Sequence, residues 1–397
     1  MRSIRLLKNI TRLDEALERV CGELTPRYST EVLPLECASG RVAAVSVAAA
    51  WPVPHFRRST MDGFAVTARV TTGASEAIPT LLNRARQDEQ GCLAVLTGAP
   101  IPPLYDAVVM QEYVRSVPPA TVMVTRPVAP GENVMDVGED VEAGSTLVAE
   151  GEYLSPSRIA VLATQGVTTV RVKVFRVGIV ASGDEVVSAG QLPGLGQIRD
   201  SNSPYLTAYL ASRGLAPVNY GIIRDDETLL TEVLAHSLQE CDAVVLSGGS
   251  SAGALDFTVR AILRLPSAEV LAHGLAVKPG KPTVLAIVGG KLVVGLPGHP
   301  LSCAVVAHKV AWPLLCHAAG VIPSRTWEVT AALSRAVASV PGRRDFIPVS
   351  LEHGMATPLS AKSAAIQVLA RADGLLTIPE DCEGLNAGAQ ITVEMWR

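Results

Sequence analysis

The chain has 397 residues, 48% of them apolar, which is enough for about two to four domains with substantial cores. Its net charge of −4 argues against a nucleic-acid-binding surface, and its seven cysteines, which lack CxxC spacing, argue against a disulfide framework or a zinc site and suit reduced thiols in the cytoplasm. Neither the charged N-terminus nor the interrupted apolar run 282–298 has the pattern of a signal peptide or a membrane span, so we expect no membrane partner.

The first half of the chain predicts a helix and then a β-rich segment. Residues 11–24 carry apolar side chains at helical spacing after a Thr/Asp start, which predicts a capped helix. From 57 to 139, short β-branched runs alternate with Gly and Pro, as in a small barrel or sandwich. Residues 140–175 predict a serine-capped helix followed by a strand.

Predicted strands and helices alternate after residue 176. The segments "RVGIVASGDE", "APVNYGIIRDD" and "DAVVLSGGSSAG" each predict a strand that ends in a polar loop, and a helical pattern follows each of them. This alternation predicts a mainly parallel sheet with right-handed crossovers, in which ligands bind beyond the carboxyl ends of the strands. The last stretch, 325–397, returns to short strands and predicts a separate small β domain.

Two proline-bracketed turns lie between 275 and 306. Lys278 and Lys281 flank a Pro-Gly pair, and the fixed φ of proline favours placing both ammonium groups on one rim of a turn. Such like charges repel unless an anion neutralises them, although two solvated lysines on a surface hairpin explain the pattern about equally well. After the second turn, "PGHP", Ser302 lies at a predicted helix N-terminus, which attracts anions. Together the turns predict a shared oxyanion site.

Carboxylates in the predicted loops supply ligands for a cation. Six carboxylates lie at predicted strand ends or loops: Asp184, Glu185, Asp200, Asp225, Asp226 and Asp256. Oxygen donors without Cys or His favour a hard cation such as Mg²⁺. Glu185 and Asp256 are the stronger candidates, because each lies in a Gly-containing loop at the carboxyl end of a predicted strand. For each carboxylate taken singly, a helix cap or a solvated loop is the competing interpretation, and Asp226 in particular has the position of a cap.

Two further features have both a functional and a plain structural interpretation. The "SGGSSAG" loop, with Gly248, Gly249 and Ser251, offers backbone N–H groups for an anion, but a simple strand-to-helix turn explains its glycines about as well. His299, between Gly and Pro, is more typical of a turn residue than of a catalytic base, because no partnered Ser or Cys is evident in the sequence.

A series of motifs runs in order along nearly the whole chain: "STMDGFAV" (59–66), "LTGAPIPPLYDAVVMQE" (96–112), "GEDVEAGSTL" (138–147), "VASGDEV" (180–186), "GQIRDSN" (196–202), "SGGSSAGALD" (247–256), "VKPGKP" (277–282) and "GLPGHPLS" (295–302). In this order they resemble the motifs of the molybdopterin molybdenumtransferases, the MoeA proteins related to the E domain of gephyrin. The closing "LARADGLLTIPEDCEGLNAGAQITV" is similar to that family as well.

The resemblance implies a multidomain α/β plus β protein that forms an elongated homodimer. The implied domains are a discontinuous N-terminal domain (1–56 and 140–175), a small β domain (57–139), a three-layer α/β/α molybdopterin-binding domain with a mainly parallel sheet (176–324) and a C-terminal β domain (325–397). Family members insert molybdate into the dithiolene of adenylylated molybdopterin, with release of AMP in a Mg²⁺-dependent step. A contact with molybdopterin adenylyltransferase is also implied.

The resemblance also assigns roles to residues. The oxyanion and the pterin nucleotide are expected at Gly248, Gly249, Ser251, Lys278, Lys281, Pro297, His299 and Ser302. Mg²⁺ is expected at Asp184, Glu185 and Asp256, and the residues expected to act in catalysis are Asp62, Thr97, Asp140, Glu185 and Asp256. Asp62, Thr97 and Asp140 would complete the cleft from the other subunit.

Four positions depart from the pattern that the resemblance implies. Ala254 stands where the family commonly has Glu, Gly274 where many members have Lys, His299 where Asn is usual, and Pro348 where Arg is often found. These departures leave open whether molybdate or tungstate is preferred and how the metal is coordinated. Ala254 favours the alternative of a non-catalytic pterin-binding scaffold, and a sulfur- or nucleotide-transfer enzyme on the same fold is a further alternative.

Overall fold

The computed structural model describes residues 10–248, 252–323, 326–359 and 362–396, with the backbone alone for 252–256. Contacts group the chain into two compact units. The first contains Met1–Val45, Glu150–Ser155 and Thr169–Arg397, and the second contains Ser46–Ala149 and Pro156–Thr168. The four domain boundaries named above stay a prediction.

The first helix of the first unit confirms the helix predicted over 11–24. It spans Leu13–Glu23 and buries a stripe at helical spacing, which consists of Leu13, Ala16 and Val20. The predicted Thr/Asp cap is wrong, because Arg12 is the N-cap residue and makes no side-chain cap bond. The carboxylate of Asp14 instead accepts two hydrogen bonds from the guanidinium of Arg344, at 3.0 and 2.7 Å.

A six-stranded sheet forms the centre of the first unit. Its strands, in spatial order, are Ala216–Ile223, Arg176–Ser182, Ala243–Gly248, Lys291–Leu296, Val284–Val288 and Ala268–His273. The first four strands pair in parallel, and Val284–Val288 runs antiparallel to both of its neighbours, Lys291–Leu296 and Ala268–His273. The predicted strand and helix alternation is therefore present, and it ends in an antiparallel hairpin that the sequence pattern did not predict.

Successive residues of the central strands pack into two different cores, because side chains alternate between the faces of a sheet. Val177 and Ile179 belong to a core shared with the first helix, whereas Val180 and Leu246 belong to the other core. The helices beside these strands are Asn202–Ala211, Glu227–Glu240, Ala252–Leu263, Pro300–Val306 and Trp312–Ala319, with a π-helical turn at Ala307–Ala311. The Asp226 cap is confirmed, because its carboxylate accepts from the backbone N–H groups of residues 228 and 229.

The helical run Pro300–Ala319 is long and apolar enough to cross a membrane, and among the described residues it is the one run that meets that criterion. Most of it is buried inside the protein. It ends at Gly320, which adopts the left-handed conformation typical of a helix C-terminus.

Residues beyond 326 form a closed barrel in which each strand pairs with two neighbours. In ring order the strands are Arg344–Glu352, Met355–Pro358, Glu328–Leu333, Gln390–Met395 and Gly374–Ile378. Apolar side chains such as Leu333, Val349 and Val393 fill its interior. The short strand Val277–Lys278 adds to the barrel in parallel with Arg344–Glu352. Smaller elements of the first unit are the pairs Ser29–Pro34 with Thr169–Val174, Val186–Val187 with Ile198–Arg199, and Val337–Ala338 with Gly384–Leu385, and the helix Gln367–Arg371.

The second unit is built mainly of short strands. One three-stranded sheet contains Leu93–Val95, Gly63–Val66 and Ala107–Met110, and the other contains Thr80–Asn83, Thr121–Val124 and Val114–Val117. Two-stranded pairs are Arg58–Ser59 with Val134–Met135 and Val47–Ala48 with Thr146–Val148, and the helix is Pro156–Thr164. The β-rich texture predicted for 57–139 is therefore present.

Candidate functional site

The loops with the predicted site residues gather at one edge of the central sheet. Ser182 pairs with Gly248, and Ser247 pairs with Leu296, so three parallel strands end side by side. The strand that ends at Ser182 is followed by the "GDE" loop, and the strand that ends at Leu296 is followed by the "PGHP" turn. The antiparallel pair of Val284 with Gly295 brings the lysine turn to the same edge.

A cleft of about 1100 Å³ contains the two proline-bracketed turns together. Lys278, Lys281, Pro297, His299 and Ser302 all line it. The shared location of the two turns, which the sequence suggested, is thus observed. Other lining residues come from the C-terminal region and include Arg335, Arg343, Asp345, Pro348 and Lys362.

The lysine turn is held by a close fit at Gly280. This glycine has φ +119°, and a Cβ there would lie 2.3 Å from Cγ2 of Val306 on the helix that follows the "PGHP" turn. The hydroxyl of Thr283 donates to the carbonyl of Gly280 at 2.6 Å, and the N–H of Leu275 donates to the carbonyl of Lys281 at 2.9 Å. Lys278 and Lys281 are both exposed, and both line the cleft.

The "PGHP" turn leads directly into the helix Pro300–Val306. His299 is its N-cap residue, and proline at the first helical position has a φ that suits a helix start. Ser302 lies in the first helical turn and is 4% exposed. The exposed His299 has a hydrogen bond of 2.8 Å between its Nδ1 and the hydroxyl of Ser363, a residue that sequence reasoning missed.

Asn202 joins the loops of this edge and was also missed by sequence reasoning. Its side-chain amide donates to the hydroxyl of Ser247 at 2.7 Å and to the carbonyl of Gly298 at 2.8 Å. Asp200 in turn accepts from the backbone N–H groups of Asn202 and Ser203. The "DSN" segment of a quoted motif thus fixes the "PGHP" turn against a strand end.

Asp345 is a third residue that sequence reasoning missed. This charged residue is only 1% exposed. Its carboxylate lies 3.0 Å from Nε of Arg343 and 3.6 Å from Nζ of Lys278. The sequence held one signal for it, the charged run "GRRD" directly before an apolar strand. That run does not reveal its partners, because Lys278 lies far away along the chain.

The carboxylates at the same edge are close enough to influence one another. The N–H of Asp225 donates to Oδ1 of Asp184 at 3.2 Å. Burial, and then the negative charges of Asp184 and Glu185, raise the pKa of Asp225. An oxygen-only donor set of this kind fits a hard cation. Within the described parts of the chain, however, no three His, Cys, Asp or Glu side chains are grouped closely enough to hold a metal.

The remaining predicted metal residue, Asp256, lies in a different element than expected. It belongs to the helix Ala252–Leu263 and not to a loop, because the helix begins almost directly after the glycines. Its side chain is outside the described part, as are the predicted site residues Gly249 and Ser251. Gly248 itself has φ +135°, and a Cβ there would lie 2.1 Å from the carbonyl oxygen of Ser182. Only glycine fits this approach.

Three predicted residues lie in the second unit. Asp62 is exposed, and its Oδ1 accepts from the backbone N–H of Thr97 at 2.6 Å and from the Thr97 hydroxyl at 2.9 Å. These two hydrogen bonds lower the pKa of Asp62. Asp62 and Thr97, which the sequence placed in separate motifs, are therefore direct hydrogen-bond partners. Asp140 is exposed, and its N–H donates to the carbonyl of Val53 at 3.0 Å.

Comparisons with known proteins cover almost the whole chain. The family models "MoeA N-terminal region (domain I and II)", "Probable molybdopterin binding domain" and "MoeA C-terminal region (domain IV)" match 11–166, 178–317 and 330–396. Molybdopterin molybdenumtransferase 2 of Mycobacterium tuberculosis is 31% identical, over 95% of this chain and 97% of that protein. A molybdopterin biosynthesis protein of Methanocaldococcus jannaschii is also 31% identical, over 98% of this chain and 99% of that protein.

Solved structures agree with this result. A molybdopterin biosynthesis MoeA protein from Pyrococcus horikoshii has a TM-score of 0.85 and 30% identity, and the match covers 98% of this chain and 100% of that one. Both fold and sequence thus match along the full length. The chain belongs to the MoeA family of molybdopterin molybdenumtransferases and is an enzyme of molybdenum cofactor biosynthesis.

Proposed function

We propose that this enzyme inserts molybdate into the dithiolene of adenylylated molybdopterin, with release of AMP in a Mg²⁺-dependent step. The observation that supports the proposal is the cleft in which Lys278, Lys281 and the helix start after "PGHP" lie together. Two ammonium groups and a helix N-terminus attract a tetrahedral dianion through charge, hydrogen bonds and the helix dipole.

The proposed work of these groups is electrostatic. Lys278 and Lys281 would bind the oxyanion and hold it in one orientation against the two sulfurs of the pterin. Ser302 would add hydrogen bonds from the first helical turn, and His299 would bound the site beside it. No covalent nucleophile is needed, because positioning and stabilisation of developing charge are sufficient sources of rate acceleration.

The carboxylates at the sheet edge have a separate proposed role. Asp184, Glu185 and Asp256 would hold Mg²⁺, and the bound ion would supply positive charge to the phosphoanhydride oxygens. Gly248, Gly249 and Ser251 would bring backbone N–H groups toward the same phosphates. The chain would thereby place its cation ligands beyond the strand ends and its ammonium groups beside the hairpin.

The proposed assembly is an elongated homodimer around a three-layer α/β/α domain. In it Asp62, Thr97 and Asp140 of one subunit would complete the cleft of the other. The pairing of Asp62 with Thr97 supports a joint role for these two residues, because the hydrogen bonds keep the carboxylate ionised and oriented. A contact with molybdopterin adenylyltransferase would allow direct delivery of the adenylylated pterin.

The experiment is an AMP-release assay on the purified full-length protein with adenylylated molybdopterin, Mg²⁺ and molybdate. We expect release by the wild type and a loss of about tenfold or more in Lys278→Ala, the size expected when a hydrogen bond to a charged group is lost. Arg115→Ala is the matched control, because Arg115 is an exposed cation on a strand of the second unit, and it should behave as wild type.

The assay also separates the alternatives. Binding of the pterin nucleotide without AMP release would indicate a scaffold and contradict the proposed reaction. Faster release with tungstate than with molybdate would indicate a tungstate-preferring insertase. Equal activity of Lys278→Ala and wild type would mean that the cleft around Lys278 takes no part in the reaction.

A further inference from the structure

Asp345 is a buried carboxylate that faces the cation-rich cleft. Its side chain is 2% exposed and its ion pairs in the described part of the chain are with Lys278 and Arg343. Both partners line the cleft. A buried carboxylate is costly unless it is paired, so these two cations stabilise Asp345 and are in turn held by it.

The backbone places Asp345 and Lys278 side by side independently of their charges. Val277–Lys278 runs parallel to the start of Arg344–Glu352, with Lys278 opposite Asp345 in the register. The N–H of Arg344 also donates to the carbonyl of Ala276 at 2.8 Å. The C-terminal barrel thus fixes the base of the lysine turn, and the carboxylate meets the end of the lysine side chain.

The geometry leaves Lys278 available to a ligand. Its side chain is 57% exposed, and the 3.6 Å between Nζ and Oδ2 of Asp345 exceeds the length of a direct hydrogen bond. Arg343, in contrast, donates a hydrogen bond to Asp345 from Nε. Lys278 therefore keeps its three donors while its direction is restricted by the nearby charge.

We propose that Asp345 is a positioning residue, whose carboxylate orients the ammonium group of Lys278 toward the oxyanion. The C-terminal barrel thereby determines the position of this positive charge in the cleft. The inference rests on the oxyanion site of the proposed function. A long lysine side chain has many rotamers, and an ion pair at its end removes part of that freedom before the anion arrives.

The test is a double-mutant cycle on molybdate affinity, measured by titration calorimetry of the full-length protein with molybdate alone. Lys278→Ala should weaken binding about tenfold. Asp345→Asn should weaken it about three- to fivefold, as expected for one partly exposed ion pair. In the Lys278→Ala background, Asp345→Asn should have no further effect, because the side chain that it positions is gone.

A structural role alone gives a different pattern. If Asp345→Asn weakens binding equally in both backgrounds, or strengthens it by removing a negative charge, the positioning role is wrong while the oxyanion site stands. If the wild type does not bind molybdate, or Lys278→Ala binds as tightly as wild type, the proposed site fails and the inference with it.

Two further variants guard against trivial outcomes. Asp14→Asn removes an exposed carboxylate that pairs with the neighbouring Arg344, outside the cleft lining, and should leave the affinity unchanged. If Asp345→Asn does not fold, Asp345→Glu keeps the charge but moves it by one methylene. It should weaken binding in the wild-type background and have no effect beside Lys278→Ala, and an equal loss in both backgrounds would again contradict the proposal.

Discussion

The carboxylate of Asp62 is exposed, yet two donors of one residue hold it in a single orientation. Thr97 donates from its backbone N–H and from its hydroxyl to the same oxygen, Oδ1. The backbone hydrogen bond, and then the hydroxyl, lower the pKa of Asp62, because both favour the charged form. A residue proposed to act across the subunit boundary is thus kept ionised.

We predict that Thr97→Val raises the pKa of Asp62 toward its usual value, since the hydroxyl donor is lost while the N–H remains. Thr97→Ser keeps the hydroxyl and should leave the pKa low. Carboxyl NMR titration of protein labelled with ¹³C-aspartate measures both. An unchanged pKa in Thr97→Val would mean that the hydroxyl does not hold Asp62 in solution.

Single residues differ in how far the sequence can reveal them. Lys278, Lys281 and Ser302 could be singled out as candidates because two unusual turns stand close together in the sequence. Asp345 was not found, because its relation to Lys278 arises from a parallel strand pair between distant segments. Parallel pairing leaves no short-range turn signal, so only the fold discloses such a partner.

Among the elements, the antiparallel hairpin explains why the two proline turns meet. Val284–Val288 pairs with Lys291–Leu296, so the residues before the first strand and after the second must lie together. Alternation of strands and helices predicted the parallel part of the sheet, since buried runs and caps are local signals. The closure of the last strands into a barrel could not be predicted, because ring closure depends on non-local pairing.

Gly280 joins the lysine turn to the helix that follows the second turn. Gly280→Ala would place Cβ 2.3 Å from Val306 and would also strain a residue at φ +119°. We predict that this variant weakens molybdate binding about tenfold or more, because a shift of about 1 Å in the turn misplaces both ammonium groups.

The matched control for this prediction is Gly274→Ala. Gly274 has φ +93°, but its nearest potential contact is 3.7 Å away, so the variant carries the backbone strain without the collision. Calorimetric titration with molybdate should show near-wild-type affinity for Gly274→Ala. Equal losses in both variants would attribute the effect to backbone strain and not to the packing on Val306.

At the scale of the molecule, the barrel is linked to the lysine turn by the strand Val277–Lys278 and to the helical run Pro300–Ala319 by a charged cluster. Glu394 of the barrel accepts from Nε2 of His308 at 2.8 Å and pairs with Lys309, both in the π-helical turn. Burial tends to raise the pKa of Glu394, but the hydrogen bonds from these two residues outweigh it and lower the pKa to about 2.

Because the pKa of Glu394 is lowered in the folded state, the protein loses stability as the pH falls. The carboxylate stabilises the folded state fully above its usual pKa near 4.5, and the contribution is lost as the pH falls toward 2. Its size at pH 7 is on the order of 3 kcal/mol. We predict that Glu394→Gln lowers the thermal midpoint by about 5 °C at pH 7. The difference in midpoint between this variant and the wild type should become smaller as the pH falls from 5 to 3. Scanning calorimetry measures both effects.

Glu352→Gln separates this effect from a general change in charge. Glu352 lies on the same barrel, but its side chain is 85% exposed, so its loss should not move the midpoint at any pH. If the Glu394→Gln difference stays constant as the pH falls, the variant has lost packing and not an ion pair. If the difference in thermal midpoint becomes smaller as the pH falls, the Glu394 carboxylate is the group that links the barrel to the helix. The barrel also positions the lysine turn, because its strand Arg344–Glu352 pairs with Val277–Lys278.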